Sequence, residues 1–96
     1  MVMLSDRYQK DPSLVSREIA GEVLLVPIRQ NTGDLESIYT LNETAAFAWS
    51  LVDGQRTLEE IHEQIINEFK VEFEPAGEDL LELVEGLQEI GAVQKV

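Results

Sequence analysis

The chain has 96 residues, a formal charge of −12 and no cysteine. This length suits a single domain with one core, and the absence of cysteine excludes disulfides, thiolate metal sites and cysteine nucleophiles. Nucleic-acid affinity comes mainly from Lys and Arg, so the negative charge argues against a nucleic-acid partner and favours a basic one. The longest apolar run, residues 23–28, is too short to span a bilayer, and no basic segment precedes an apolar stretch at the start. We expect a cytoplasmic protein with no membrane partner.

The first third of the chain has the pattern of a β-hairpin. Leu14–Ile19 roughly alternates apolar and polar residues, and the Ala-Gly pair at 20–21 offers a tight reversal. Residues 23–27 then form a short apolar strand, which Pro27 ends because proline cannot donate a backbone hydrogen bond. We predict two antiparallel strands joined by this turn.

A third strand is predicted over residues 37–41. Residues 31–34 read Asn-Thr-Gly-Asp, a set that favours a turn before this strand. In the strand, Ile38 and Thr40 share one face, and their two neighbours share the other. Together the three strands form an antiparallel meander.

Two helices follow, each with its own start signal. Asn42 is a good N-cap for a helix over residues 44–52, which the Asp-Gly pair at 53–54 ends. Thr57 and Glu60 have the spacing of a capping box. The apolar stripe of this second helix comprises Leu58, Ile61, Ile65, Ile66 and Phe69.

A third helix is predicted to begin at Pro75 and to end before Gly91, which suits a left-handed cap. Gly86 lies inside this helix, where glycine lowers stability by up to about 1 kcal/mol relative to alanine. Close approach of another group would explain a glycine here, and so would simple tolerance. Residues 92–96 return as a short extended tail. The apolar face comprises Leu80, Leu83, Val84, Leu87 and Ile90. Strands and helices in separate blocks predict an α+β domain, a three-stranded antiparallel sheet followed by three helices in a winged-helix-like arrangement.

Residues that could carry catalysis or bind a metal are few. His62 is the only histidine, and we expect it to be a solvated surface residue because it follows a residue of the apolar stripe. A metal site would need His62, Glu59 or Glu63 and a third ligand, and no spacing motif supplies one. Acidic pairs such as Glu78 and Glu82 favour a solvated helical face over a catalytic dyad. We predict no enzyme, no metal site and no cofactor.

Aromatic and acidic residues have simpler interpretations. Phe47 and Trp49 lie in the alanine-rich first helix, where burial between two elements predicts a core role. From residue 57 to residue 91, eleven acidic residues stand against one base, Lys70. Crowding like charges on helical faces is unfavourable. Binding of a basic segment and simple solubility both explain this crowding, and the sequence leaves the two open.

The central part of the chain resembles the coenzyme PQQ synthesis protein D family. That family shows a Leu-Asn pair opening an alanine-rich helix with an aromatic residue near its end, as in LNETAAFAW at residues 41–49. An Asp-Gly turn and a threonine-capped helix follow, as in VDGQRTLEEI at residues 52–61. The closing leucine-rich helix with a glycine before the last apolar pair is also similar. The resemblance covers about residues 14–95, and we expect one domain over residues 1–96.

The resemblance implies a three-stranded sheet packed on three helices and a non-catalytic function. Members are peptide chaperones or recognition elements for ribosomally made peptides, in the synthesis of PQQ or related products. The leader of the precursor peptide adds as a strand to the third strand and lies beside the third helix, which is recognition by β-augmentation. The implied enzyme partner is a radical S-adenosylmethionine enzyme or another modifying enzyme.

Carried onto this chain, the resemblance indicates six candidate peptide-binding residues. On the strand these are Ile38 and Thr40. On the third helix they lie off the core stripe: Glu78, Leu81, Glu82 and Glu85. Leu81 is the most specific of these candidates, because it is apolar and lies one helical step from the core stripe. Packing under a loop would also explain an apolar residue at this position. The acidic neighbours predict a leader with Lys or Arg among its anchors.

Three other functions remain as alternatives. A generic acidic adaptor or oligomerisation module would need no peptide groove. A winged-helix nucleic-acid binder would need a basic third helix, which has no Lys or Arg. An enzyme would need a catalytic constellation. The exposed third strand can also pair with a second copy, so a homodimer is a further partner to consider.

Overall fold

The computed structural model describes residues 2–27 and 39–96 of the chain. These residues form five strands and three helices. The strands are β1 (Tyr8–Lys10), β2 (Leu14–Ile19), β3 (Glu22–Pro27), β4 (Tyr39–Leu41) and β5 (Val93–Lys95); the helices are α1 (Glu43–Leu51), α2 (Leu58–Phe69) and α3 (Phe73–Glu89). A three-stranded antiparallel sheet followed by three helices confirms the predicted α+β class. Within the described ranges, none of the helices has the length and apolar character needed to cross a membrane.

The larger sheet has the strand order β2-β3-β4, and both pairs are antiparallel. Its hairpin turns at Ala20 and Gly21, whose φ angles of 54° and 83° are both left-handed. Two such residues in succession form the tight turn that matches the twist of the flanking strands, as predicted. The predicted third strand is confirmed at Tyr39–Leu41. The rest of that strand and the predicted turn at 31–34 lie outside the described residues.

A second sheet joins the two ends of the described chain. β1 and β5 pair antiparallel, with Tyr8 opposite Lys95. Beside them, the backbone N–H of Leu58 donates to the carbonyl of Asp6 over 2.9 Å, which satisfies a free donor at the start of α2. The sequence pattern predicts only the extended tail at 92–96 and not β1, because three residues carry too little periodicity to identify a strand.

The starts of α1 and α2 follow their local signals. The backbone N–H of Ala45 donates to the Asn42 side chain over 2.8 Å, so Asn42 is the predicted N-cap. At α2 the N–H of Glu60 donates to the Thr57 hydroxyl over 3.2 Å, and the N–H of Thr57 donates to the Glu60 carboxylate over 2.9 Å. This reciprocal pair confirms the capping box. α1 lies one residue earlier than the predicted range 44–52.

Helix α3 begins at Phe73, two residues before the predicted start at Pro75. Proline fits in a first helical turn because its missing N–H would have no partner within the helix. Gly91 follows the helix with a left-handed φ of 76°, which confirms the predicted cap. Ile90, predicted on the buried face, is 39% exposed. That prediction is wrong because the helix already ends at Glu89 and the chain turns there.

The core draws side chains from both sheets and all three helices. Trp49 is 7% exposed, as predicted for a core residue, while Phe47 is half-buried with its ring edge-on to Phe69 at a centroid distance of 5.4 Å. The largest fully buried side chains are Leu25, Leu41, Leu58, Ile61, Leu87, His62 and Val84.

The burial of His62 contradicts the prediction of a surface histidine. Its side chain is 1% exposed, and its Nε2–H donates to the carbonyl of Phe73 over 2.7 Å. α3 packs on the flank of α2 at this point, and Gly77 makes room for the ring: a Cβ there would lie 2.9 Å from the imidazole Cε1. The prediction is wrong because α2 is covered on two faces, and the apolar stripe identifies only one of them.

Candidate functional site

A groove of about 780 Å³ lies between the edge strand β4 and helix α3, and α1 forms part of its lining. All three residues of β4 line it. Two exposed acidic residues of α3, Asp79 and Glu82, also line it. The apolar lining from the helices includes Ala45, Ala48, Ile65, Ala76, Leu80 and Leu83. The site is therefore a trough of mixed polar and apolar lining with carboxylates on its α3 side.

The strand that forms one wall of the groove is also an edge of the sheet. Within the described residues, β4 pairs only with β3. An edge strand leaves backbone N–H and C=O groups free to pair with a further strand. Thr40 is exposed and Leu41 is buried, as the predicted alternation of faces requires. A segment paired with β4 would present alternate side chains to the groove.

Small side chains give the groove its depth. Ala48 and Ala76 are 2% and 8% exposed, so their methyl groups belong to the packed floor. Ala45 from the preceding turn of α1 is half-buried beside them. Larger side chains at these positions would fill the space between α1 and α3. The groove thus has room for one or two bulky apolar side chains of a ligand.

Tyr39 connects β4 to α3 at one end of the groove. A Cβ built on Gly86 would lie 3.0 Å from the Tyr39 hydroxyl oxygen and 3.7 Å from the ring carbon that bears it. The phenol therefore lies against the helix backbone at Gly86, where the helix has no side chain to obstruct it. Of the two explanations for Gly86 given by the sequence, close approach is the one observed.

The acids of α3 have no cationic partner among the described residues. The two ion pairs there join Arg56 to Asp53 and Lys95 to Asp6, at N–O distances of 2.7 and 3.4 Å. Neither involves α3. Carboxylates left without a counter-charge at the groove make its potential negative and attract a positively charged ligand.

Three groups with shifted pKa values lie outside the groove lining. Burial raises the pKa of Tyr8, and burial lowers the pKa of Lys10, whose ammonium lies 5.0 Å from the centroid of the Trp49 ring. Hydrogen bonds from the backbone N–H groups of Arg56 and Gln55 lower the pKa of the Asp53 carboxyl. Residues 2–27 and 39–96 also contain no group of three His, Asp or Glu side chains arranged to hold a metal ion.

Two of the six predicted site residues lie at the groove. Thr40 lines it from β4, and Glu82 lines it from α3. Ile38 lies outside the described residues, one position before β4.

The other three predicted residues lie on neighbouring surfaces of α3. Glu78 lines a depression beside the groove, together with Phe73. Leu81 is half-buried and packs against the hydrophobic core. Glu85 is exposed on another face of the helix, near Val2. The structure therefore does not bring these three together with Thr40 and Glu82 in the groove.

Sequence reasoning missed the groove residues Ala76, Asp79 and Leu83. They are spaced i, i+3 and i+7, which places them on one face of α3. The sequence pattern places Leu83 on the core stripe, and Leu83 does pack against the core, but it is only half-buried and also lines the groove. The sequence signal that could have identified them is the width of the apolar surface of α3, which is broader than packing against a single neighbouring element requires.

Comparison with known proteins identifies the family. The chain is similar in structure to TbiB1 in complex with the TbiA(beta) leader peptide, with a TM-score of 0.73, 24% sequence identity, and coverage of 90% of this chain and 94% of the other. No curated protein matches the sequence. The family model of coenzyme PQQ synthesis protein D matches residues 22–93, which is most of the chain. The chain therefore belongs to the coenzyme PQQ synthesis protein D (PqqD) family.

Proposed function

We propose that this chain is a non-catalytic recognition element that binds the leader of a ribosomally synthesised precursor peptide. The leader adds as a strand to β4 and is presented to a radical S-adenosylmethionine enzyme or another modifying enzyme, in the synthesis of PQQ or a related peptide product. The whole chain acts as one recognition domain in the cytoplasm.

The observation that carries this proposal is that β4 is both a sheet edge and a wall of the groove. A peptide paired with this edge gains backbone hydrogen bonds, while its alternate side chains enter the groove and give specificity. TbiB1, which has a similar fold, forms a complex with a leader peptide. Family membership and this shared fold support the same assignment.

The groove residues recognise the leader through two kinds of interaction, apolar contact and charge pairing. Leu83 and the alanine floor receive apolar anchors of the leader, because they offer apolar surface with space above it. Asp79 and Glu82 pair with Lys or Arg. Thr40 lines the groove from β4, where a leader strand would pass. A histidine general base is absent from the groove lining, since His62 is buried between α2 and α3.

The experiment is a calorimetric titration of the full chain with a synthetic leader of the short precursor peptide encoded beside its gene. We expect micromolar binding or tighter. Glu82→Lys should weaken it by roughly tenfold or more, because it replaces attraction by repulsion at the rim. Leu83→Ser should weaken it through loss of apolar contact area.

The matched control for the charge change is Glu59→Lys, which makes the same substitution at an exposed position of α2 outside the groove. It should leave the affinity within about twofold, since Glu59 does not line the groove and salt screens the interactions of exposed charges. A scrambled leader should not bind. If leader and scrambled peptide bind equally, or if neither binds even with the modifying enzyme present, the recognition function is wrong and a generic adaptor remains.

A further inference from the structure

A second surface adjoins the groove at the junction of α2 and α3. We name it the junction patch and define it by Glu72, Phe73, Glu74, Pro75, Glu78 and Asp79, which line a depression of about 620 Å³. We propose that the junction patch binds the segment of the leader that flanks the strand paired with β4, and that this flank carries an apolar side chain next to Lys or Arg. This inference rests on the function proposed above.

The first argument is continuity with the groove. Pro75 and Asp79 line both the groove and the junction patch. From Gly86 to Pro75, α3 advances roughly 16 Å at its rise per residue, which an extended peptide covers with about five residues. A longer leader lying in the groove therefore passes over the shared wall and reaches the junction patch.

The second argument is an exposed aromatic ring. Phe73 is 61% exposed and the nearby Val71 is 41% exposed, although both belong to the large apolar side chains that folding normally removes from water. One side of the Phe73 ring meets the His62 ring at a centroid distance of 4.4 Å. The remainder is available to a ligand, either to an apolar side chain or to a cation over the ring face.

The third argument is charge complementarity. Four carboxylates belong to the junction patch, at Glu72, Glu74, Glu78 and Asp79. None of them forms an ion pair within the described residues. A peptide segment of Lys or Arg beside an apolar residue matches both the ring and these carboxylates, whereas an acidic or purely apolar segment matches only one of them or neither.

The junction patch is also held in place. The Nε2–H of buried His62 donates to the Phe73 carbonyl over 2.7 Å, and this bond ties the first residue of α3 to α2. Because the backbone of Phe73 is positioned before a ligand arrives, binding there loses less conformational entropy than on a mobile turn. The buried histidine thus has a role in positioning the patch.

The test begins with selection of a displayed library of random 20-residue peptides on the full chain. We expect enriched peptides to carry an apolar strand-forming segment and, within about five residues of its centre, Lys or Arg beside an apolar residue. An enriched peptide and a truncated form without that flank are then titrated. The truncated form should bind about three- to thirtyfold more weakly.

The paired variant is Glu74→Gln with Glu78→Gln, which removes two charges from the junction patch without adding bulk. It should weaken binding of the long peptide by about three- to thirtyfold and leave the truncated peptide unchanged. Glu59→Gln with Glu63→Gln on α2 is the matched control and should change neither. Equal affinities of the two peptides, or a long peptide indifferent to the patch variant, would overturn this inference while leaving the groove function intact. If no peptide is enriched, both the inference and the groove function fail.

Discussion

Helix α3 contains two glycines that each lie against a ring, one in the core and one at the groove. Gly77 is buried and faces the imidazole of His62, which is itself 1% exposed. Gly86 is half-buried and faces the hydroxyl of Tyr39, a half-buried residue of the groove wall. Because Gly77 has no side chain, the His62 ring of α2 can pack directly against α3. Because Gly86 has no side chain, Tyr39 of β4 can lie against α3 at the end of the groove.

The comparison shows how one helix serves stability and binding with different faces. Around Gly77 the neighbours are enclosed and hydrogen-bonded, so a change there has no room to relax. Around Gly86 the nearest atom is the end of a side chain that borders the groove. Substitutions at the two glycines should therefore have different consequences, and they provide direct tests of the distinction.

The largest effect is expected for Gly77→Ala. The new Cβ would lie 2.9 Å from Cε1 of an enclosed ring, so α2 and α3 must shift. Overpacking of this kind costs about 1–3 kcal/mol of unfolding free energy, which exceeds the gain of up to about 1 kcal/mol from replacing a helical glycine. Urea unfolding followed by circular dichroism measures the difference.

The control for Gly77→Ala is the same change in a His62→Ala background. Without the ring, the new methyl group meets no obstacle from residue 62, and the substitution should become neutral or stabilising. An equal loss in both backgrounds would contradict the contact and place the strain elsewhere.

A smaller effect is expected at the groove end, and it is stabilising only when the Tyr39 hydroxyl is removed. Gly86→Ala brings a Cβ to 3.0 Å from the Tyr39 hydroxyl. The gain in unfolding free energy from better helix propensity and the loss from this crowding should nearly cancel. In a Tyr39→Phe background the nearest remaining contacts are 3.7 and 3.8 Å, which are ordinary. There, Gly86→Ala should raise the unfolding free energy by about 0.5–1 kcal/mol. A double-mutant cycle by urea unfolding checks this, and additivity of the two changes would contradict it.

The smallest effect is expected at Asp53, an exposed loop residue away from both glycines. Its carboxylate accepts hydrogen bonds from the backbone N–H groups of Gln55 and Arg56, both over 2.9 Å, and these lower its pKa below the ordinary 3.8. A depressed carboxyl pKa stabilises the fold above pH 3.8, and that contribution is lost as the pH falls through the lowered value. Asp53→Asn should therefore be less stable than the parent at neutral pH, with a difference that shrinks in acid.

Urea unfolding at neutral pH and in acid measures this difference, with Glu63→Gln on α2 as the exposed control. A difference for Asp53→Asn that is the same at both pH values would show that the hydrogen bonds to the carboxylate carry no pH-dependent stability.

Local signals in the sequence predicted the elements well. Asn42, Thr57 with Glu60, and Gly91 each act through hydrogen bonds or backbone angles of residues close in sequence, so their outcome depends little on the rest of the fold. The same holds for the Ala20-Gly21 turn. β1 was not predicted because its three residues are paired by residues at the other end of the chain.

The sequence pattern places only some of the candidate residues at the groove. Thr40 and Glu82 lie at the groove, whereas Leu81, one position before Glu82, packs against the core. One residue along a helix is a rotation of about 100°, so a small error in placing the neighbours of α3 moves a side chain from groove to core. The periodicity of α3 shows that a broad apolar surface exists, but not which neighbour covers each part of it.

The sequence by itself determined the fold class, the helix caps and the family resemblance at residues 41–61, because these depend on short-range chemistry and a contiguous motif. Tertiary structure alone decided that His62 is buried, that Gly77 and Gly86 make room for two different rings, and that Leu83 lines a groove. The physical reason is that burial on a helix depends on which elements cover each face, and those contacts join residues far apart in the chain.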